Sequence, residues 1–539
     1  MDDHDATTGG SPPQEEYASY TGFTRWIILF AVMLGTLLQV VDSSIVNVAV
    51  PTMMGNLGVT LDQISWVTTG YIIANVIVLP LTGWLSSYFG RRRYLAASMM
   101  IFTAASFFCG TAHDLNTLIF FRIVQGAGGA ALLSTAQATM MEIFPPWQLG
   151  MVQAIYGIGI MVGPTIGPTL GGWITDNYSW PWIFFINLPI GIVATILTLM
   201  FVHDSKYKRA AGASVDVIGI GFLAVGLGCM QMVLEKGNRE GWFDSSLING
   251  LTVLSVVGLI AFVLWELHVK HPAVNLRVLK NRPLAAGSLF GFIVGFGLFG
   301  GTFILPVFLQ SMQHYTAQQS GFAMLPGALA TAVSMPIVGR LSGKVSARLL
   351  VAIGAIGFII SMFMLQALTS NSSVDSIFWA LVLRGASMGF LFVPLTLATL
   401  AGLQGRDIAE GTGLFSLFRQ LGGSAGIAIL STFLDHRADF HRARLVEYVN
   451  VYSTTALQRL LGMQHMLMAK GAAPPIARQQ ALTLLDHLVQ GQAMILAFSD
   501  VFLVVAFIFI VALPLLFLFH KSLPSSYRRG EKPDAVIAD

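Results

Sequence analysis

Charge is what this 539-residue chain has least of. Asp, Glu, Lys and Arg make up 11% of it, less than half of the roughly 25% of a soluble globular chain. A surface so poor in charge cannot face water on all sides, so the length does not convert into soluble domains of about 150 residues each. With 55% hydrophobic residues, it converts instead into membrane spans of about 20 residues. Cysteine is nearly absent as well. Cys109 and Cys229 both lie in apolar runs, which argues against a disulfide framework and says nothing of redox compartment. The N-terminus lacks the basic region of a cleavable signal peptide and carries Asp2, Asp3, Asp5, Glu15 and Glu16 instead. The first apolar run, after Arg25, is therefore expected to remain as a span. A net charge of +3 is too small to point to nucleic acid. No polar segment is long enough for a nucleotide-binding domain. Gly339 to Lys344 imitates a phosphate loop, but it is one residue short and Val345 stands in place of Ser or Thr. No metal-ligand cluster or Ser/His/Asp constellation is visible, so no cofactor and no enzymatic chemistry are expected. The Asn177 and Asn371 sequons read as chance matches.

What is there is a succession of apolar runs. They fall at about 26–50, 62–86, 94–112, 117–141, 149–173, 182–202, 216–234, 246–266, 284–311, 319–339, 349–368, 376–402, 410–434 and 494–519, fourteen in all. They are continuous rather than alternating, which predicts helices and not barrel strands. The 55 Gly suit helices that pack closely in a membrane. One set of loops carries Arg91, Arg92, Arg93; Lys206, Lys208, Arg209; Lys270, Arg277, Lys280, Arg282; and Arg340, Lys344, Arg348, and the C-terminal tail adds Lys521, Arg528, Arg529 and Lys532. The short loops of the other set carry only Lys236 and Arg239. Basic loops stay inside, so both termini are expected in the cytoplasm.

The two ends of the chain repeat each other. Gly83 to Arg93 (GWLSSYFGRRR) and Gly339 to Arg348 (GRLSGKVSAR) each close a span with a small residue, place Leu two later and end in a basic cluster. Arg122 precedes Gln125, Gly126, Gly128 and Gly129; Arg384 precedes Gly385 and Gly389. The offsets, 256 and 262 residues, predict a duplicated six-span unit with two inserted spans. Such repeats are the architecture of secondary transporters, whose substrate path lies between them. The expected organisation is a tail over 1–25, a first six-helix bundle over 26–202, an insert over 203–283, a second bundle over 284–519 and a tail over 520–539. Within the second bundle, 435–493 is the one sizeable polar segment, on the outer side. It reads as one or two amphipathic helices broken near Pro474 and Pro475, either a solvated connector or a docking surface for a partner protein.

Charges inside spans mark function or structure. Asp42 lies in the first span, with Asn47 placed near its face at helical spacing, and Arg122 in the fourth is its natural partner. Burial and a neighbouring guanidinium act on a carboxyl's proton in opposite senses, so reorientation between two faces of a membrane would change protonation. Proton coupling through Asp42, Arg122 and Gln125 is one reading; a structural polar pair is the other. Arg384, Arg419 and Asp500 are secondary candidates, with a structural role for Arg384 as strong as a functional one. Glu410 and Asp407 suit a helix N-terminus. The fifth span carries Gly159, Gly163, Pro164, Gly167, Pro168, Gly171 and Gly172. Glycines four apart leave a stripe bare of side chains, and the two prolines bend the helix.

These motifs look like the major facilitator superfamily, over nearly the whole chain. Gly83, Gly90, Arg91 and Arg92 resemble its loop motif, though Ser87 stands where the family has an acidic residue. Arg122, Gln125 and Gly126 resemble the fourth-span motif that the family links to proton transfer. Gly159 to Gly172 resembles the motif of drug/proton antiporters. Asp42 to Pro51 and Trp180 to Gly191 resemble the fourteen-span subgroup, and the runs from Val41 and from Leu118 resemble its EmrB type of Gram-negative inner-membrane exporters. The resemblance implies an all-α polytopic fold of two six-helix bundles plus two inserted helices. It implies proton-driven efflux of lipophilic drugs, and as partners a periplasmic adaptor (membrane-fusion) protein and an outer-membrane channel. Export of an endogenous metabolite, fatty acid or siderophore is the alternative. Uptake by symport fits the fifth span poorly, and a non-transporting scaffold or receptor would not need a buried Asp/Arg pair.

Overall fold

A computed structural model describes residues 22–203, 215–313, 315–369, 372 and 374–518. Lys206, Lys208, Arg209, the basic C-terminal tail and the Asn371 sequon lie outside the described residues. Within them the chain is helical throughout: α1 (Gly22–Leu57), α2 (Leu61–Val78), α3 (Thr82–Phe89), α4 (Arg91–Gly110), α5 (Leu115–Ile143), α6 (Pro146–Asn177), α7 (Trp182–Phe185), α8 (Asn187–Phe201), α9 (Val217–Lys236), α10 (Ser246–His268), α11 (Arg282–Met312), α12 (Ala317–Leu341), α13 (Ala347–Gln366), α14 (Val374–Leu400), α15 (Arg406–Glu447), α16 (Thr454–Ala469) and α17 (Pro474–Ala512). Joining α2 to α3 and α7 to α8, and counting bent α6 as one, gives fourteen helical rods long and apolar enough to cross a membrane.

The packing repeats as the sequence does. In the first half α1 packs on α6, α2 on α5, α4 on α5, and α8 on both α4 and α1. In the second half α11 packs on α15, α12 on α14, α13 on α14, and α17 on both α13 and α11. The helix starts repeat too. Thr60 and Gln63 cap α2 reciprocally, and Thr316 and Gln319 do the same for α12, again 256 residues apart. Each box satisfies two amide donors that a helix start leaves unpaired.

The halves meet along α6 with α12 and α14, and along α3 and α5 with α15. The closest approaches lie at the end that carries the basic loops. A Cβ on Gly83 would stand 2.9 Å from the Glu410 Cα, and one on Gly339 2.6 Å from the Gly150 carbonyl. Only backbones without side chains fit there. The insert bridges both halves at the opposite end. Lys236 and Arg239, at and beyond the end of α9, reach Asp62 of α2 at 3.3 and 3.5 Å. In the same loop Asn238 bonds Asp435 at 2.8 Å and Trp242 Nε1 bonds Thr432 at 2.9 Å, both on α15.

The segment 435–493 is not a separate domain. α15 runs unbroken through its first fifth, to Glu447, Pro474 opens α17 within it, and α16 lies between them, with Leu457, Leu461 and Met466 exposed. Pro suits that place because a helix's first amide needs no partner.

Candidate functional site

Asp42 and Arg122 meet. Both are wholly buried, with Arg122 Nη1 donating to Asp42 Oδ2 at 2.6 Å. The second carboxylate oxygen, Oδ1, accepts from Gln125 Nε2 at 2.9 Å and from Asn187 Nδ2 at 2.8 Å. Both amides also donate to Ser106 Oγ, at 3.1 and 2.9 Å. Arg122 donates further to Gln125 Oε1 at 2.8 Å and, through Nε, to the Val67 carbonyl at 3.1 Å. Its guanidinium lies 4.1 Å from the centre of the Tyr71 ring and 5.8 Å from that of Phe184. Five helices, α1, α2, α4, α5 and α8, thus converge on one carboxylate. An ion pair taken out of water is tolerable only when its remaining hydrogen-bonding capacity is met this well.

Local sequence sets this geometry. Arg122 and Gln125 are three apart on α5, so they share a face. Asp114 caps the start of that helix, and hydrogen bonds from Thr117 hold its carboxyl below the ordinary aspartate range. Gly126 lets α2 approach, since a Cβ there would overlap the Tyr71 carbonyl. On the far side of the guanidinium, Tyr71 Oη and Asn75 Nδ2 converge on Gly129, at 3.1 and 3.4 Å from where its Cβ would be. Tyr71 Oη lies beside the Gln39 side chain, and Arg122 Nη2 is buried without a hydrogen-bond partner among the described residues.

Asn47 stands elsewhere. Five residues on from Asp42, it is turned about 140° around the helix. It is exposed and accepts from Thr68 Oγ1 at 3.5 Å. The amide that joins Gln125 on Asp42 is Asn187, which the sequence does not single out, any more than it does Ser106 and Tyr71. A lone Asn in the apolar run from Trp182 is the available signal.

The fifth-span stripe faces α1. A Cβ on Gly159 would lie 2.8 Å from Met33, one on Gly163 2.6 Å from Val40 and one on Gly171 2.9 Å from the Ile45 carbonyl; one on Gly167 would overlap Ser44. Pro164 and Pro168 lie within α6, which bends by 44° there. The other face of α6 meets the second half, with Gly157 against Met335 and Phe392. One helix therefore touches the Asp42-bearing helix on one side and the opposite half on the other. Adjacent glycines give a sharp comparison. Gly171→Ala must push α1 away and is expected to cost about 1–3 kcal/mol. Gly172→Ala meets nothing nearer than 3.7 Å and should stay within about 0.5 kcal/mol of the native chain. Thermal unfolding in detergent reads the difference, and equal midpoints would count against this packing.

The loop motif is completed without an acidic residue at Ser87. Ser87 Oγ donates to the Trp84 carbonyl at 2.9 Å, and Arg91 pairs bidentately with Glu142 at the end of α5. Gly90 takes φ +86° between α3 and α4, a conformation that disfavours a side chain. Arg92 bonds the Leu199 carbonyl. Among the secondary candidates, Asp500 ties α17 to α15 through Arg437 at 2.5 Å and His441 at 2.7 Å. It belongs to the other half from Asp42. Arg384 donates to Thr302 Oγ1 at 2.8 Å and the Leu298 carbonyl at 3.4 Å. Arg419 lies 5.2 Å from Phe392 and 5.7 Å from Phe415.

A duplicated fold of fourteen apolar helical rods, with an ion pair buried in one half, is that of a polytopic membrane transporter. Residues 32–427 match the Major Facilitator Superfamily, and the chain belongs to that family. Within it, the chain is 35% identical to the multidrug export protein EmrB of Escherichia coli K12, over 91% of this chain and 94% of that one. It is 36% identical to the EmrB of Haemophilus influenzae over 79% and 84%. To the fatty acid resistance protein FarB of Neisseria gonorrhoeae it is 32% identical over 92% and 95%. The human organic anion transporter MFSD10 shares the fold, with a TM-score of 0.56 at 14% identity over 90% of this chain and 99% of that one.

Proposed function

We propose that the chain is a proton-coupled exporter of lipophilic small molecules across the inner membrane, with both termini cytoplasmic. The observation that carries this reading is the wholly buried Asp42, held by Arg122, Gln125 and Asn187 in one half of a duplicated fold. A carboxylate so placed is a proton acceptor whose surroundings change when the halves reorient. In the conformation described, close backbone contacts shut the basic-loop end, which the charge bias assigns to the cytoplasm. The working cycle follows. Asp42 takes a proton from the outer side as substrate leaves there. The halves then rock about the α6 contacts, and the proton is released inward as new substrate binds. Gln125 and Asn187 orient the carboxyl group through both states, and Arg122 is its counter-charge. The EmrB relatives support drugs as cargo; the relationship to FarB supports a fatty acid or other endogenous amphiphile as the alternative. The outer hairpin of α15, α16 and α17, with its exposed apolar residues, is the surface on which an adaptor protein and, through it, an outer-membrane channel would dock.

In vesicles containing the purified chain, an imposed pH gradient is expected to drive a fluorescent lipophilic probe against its own gradient. A proton flux of opposite sense should appear only when the probe is added. Probe movement that ignores the pH gradient would sink the coupling, and no movement under any gradient would favour a scaffold.

A further inference from the structure

The duplication sets Arg384 on α14 where Arg122 stands on α5, and the two guanidiniums differ in what they meet. Arg122 reaches α1 and finds Asp42. Arg384 reaches α11, the counterpart of α1, and finds Thr302 Oγ1 and the Leu298 carbonyl, both through Nη2. Thr302 lies 260 residues beyond Asp42, within the spread of the repeat's other offsets. Arg384 is 6% exposed. Among the described residues it forms no ion pair, and both of its hydrogen bonds leave from Nη2. Arg419 on α15 is 4% exposed, also lacks a carboxylate there, and has the Tyr156 hydroxyl as its polar neighbour. Three guanidiniums are thus buried within spans among the described residues of the two halves, and Asp42 is paired with one of them. A guanidinium stays protonated in any protein environment, and a buried charge persists only when it is paired. Gly301 keeps the wall beside Arg384 low, since a Cβ there would stand 3.3 Å from its Nη2.

We propose that Arg384 is the recognition point for the anionic head of an amphiphilic substrate. The substrate's carboxylate or sulfonate supplies to Arg384 what Asp42 supplies to Arg122. This rests on the export reading and narrows it to a substrate class: an acidic head on an apolar body. The head binds the guanidinium by charge-assisted hydrogen bonds, and the apolar body replaces lipid contacts between the halves.

The test needs no gradient, so it separates from the transport experiment. The purified chain in uncharged detergent is given radiolabelled dodecanoate, with methyl dodecanoate and dodecyl sulfonate as competitors. The acid and the sulfonate are expected to bind at least about tenfold tighter than the ester. Arg384→Gln should erase that preference. Thr302→Asp should erase it too, by giving Arg384 an internal carboxylate as in the first half, and it serves alone if the Gln variant does not fold. Equal affinity for acid and ester would overturn the proposal, as would a preference that survives in either folded variant. Displacement of dodecanoate by phosphatidylglycerol, sensitive to the same substitutions, would assign the site to a lipid headgroup and overturn the substrate reading. If the acid preference is found but no gradient drives flux, the anion site stands and the export reading falls.

Discussion

Asp42→Asn is expected to abolish uphill transport while leaving downhill movement of the same substrate. The substitution keeps the shape of the side chain, so Gln125 and Asn187 retain a neighbour at Oδ1, but it removes the proton acceptor. The chain can then reorient without a proton, and substrate equilibrates across the membrane instead of being driven. There is a structural penalty as well, because Arg122 loses its counter-charge in a wholly buried site. Breaking a buried pair from one side costs about 3–5 kcal/mol. Adding Arg122→Gln to the Asp42→Asn variant should recover part of that loss in thermal unfolding and none of the uphill transport. Separating the two readouts is what distinguishes coupling from structure. If uphill transport by the single variant is unchanged, Asp42 carries a structural pair and the proton moves elsewhere.

The second large effect is expected from Gly150→Val. Gly150 and Gly339 are the point at which α6 and α12 touch backbone to backbone at the basic-loop end. A side chain there has no flexible neighbour to displace, since the atoms it meets are main chain. Carbon contacts settle at about 3.5–4.0 Å, so the two helix ends must separate by at least about 1 Å. Closure at that end fails, while each half keeps its own packing. Spin labels at Trp147→Cys and Arg340→Cys should report the longer distance, and transport should fall to the leak of protein-free vesicles. An unchanged distance together with normal transport would mean that this contact is not a closing surface. Gly83, against the Glu410 backbone, should behave in the same way at the second closing contact.

The fold is legible because membrane helices write themselves as long apolar runs, and because a duplication leaves paired signals at one offset. The capping boxes at Thr60 and Thr316 are a third such signal, and they coincide with the offset from Gly83 to Gly339. Asp42 and Arg122 are legible because ionised groups are rare in spans. Their neutral partners are not. Asn187 and Ser106 are ordinary polar residues in apolar runs, and nothing in a sequence says which of many such residues faces a given carboxylate. Asn47 falls off the Asp42 face because a spacing of five does not return to it, whereas three and four are the spacings that share one. The Ser87 departure is likewise unreadable. The partner of Arg91 is Glu142, 51 residues on, and only the packing of α4 on α5 brings them together.

The loop after α9 holds Asp62 of one half and Thr432 and Asp435 of the other. Between Lys236 and Trp242 an extended chain reaches only about 20 Å. While both anchorages hold, that length plus the reach of the anchoring side chains limits how far α2 and α15 can part. If the chain exports as proposed, the insert is a calliper set across the mouth between them, and its loop length becomes a gauge for the girth of cargo that can leave by that side. A chain with a longer loop should pass bulkier molecules, and one with a shorter loop only slender ones.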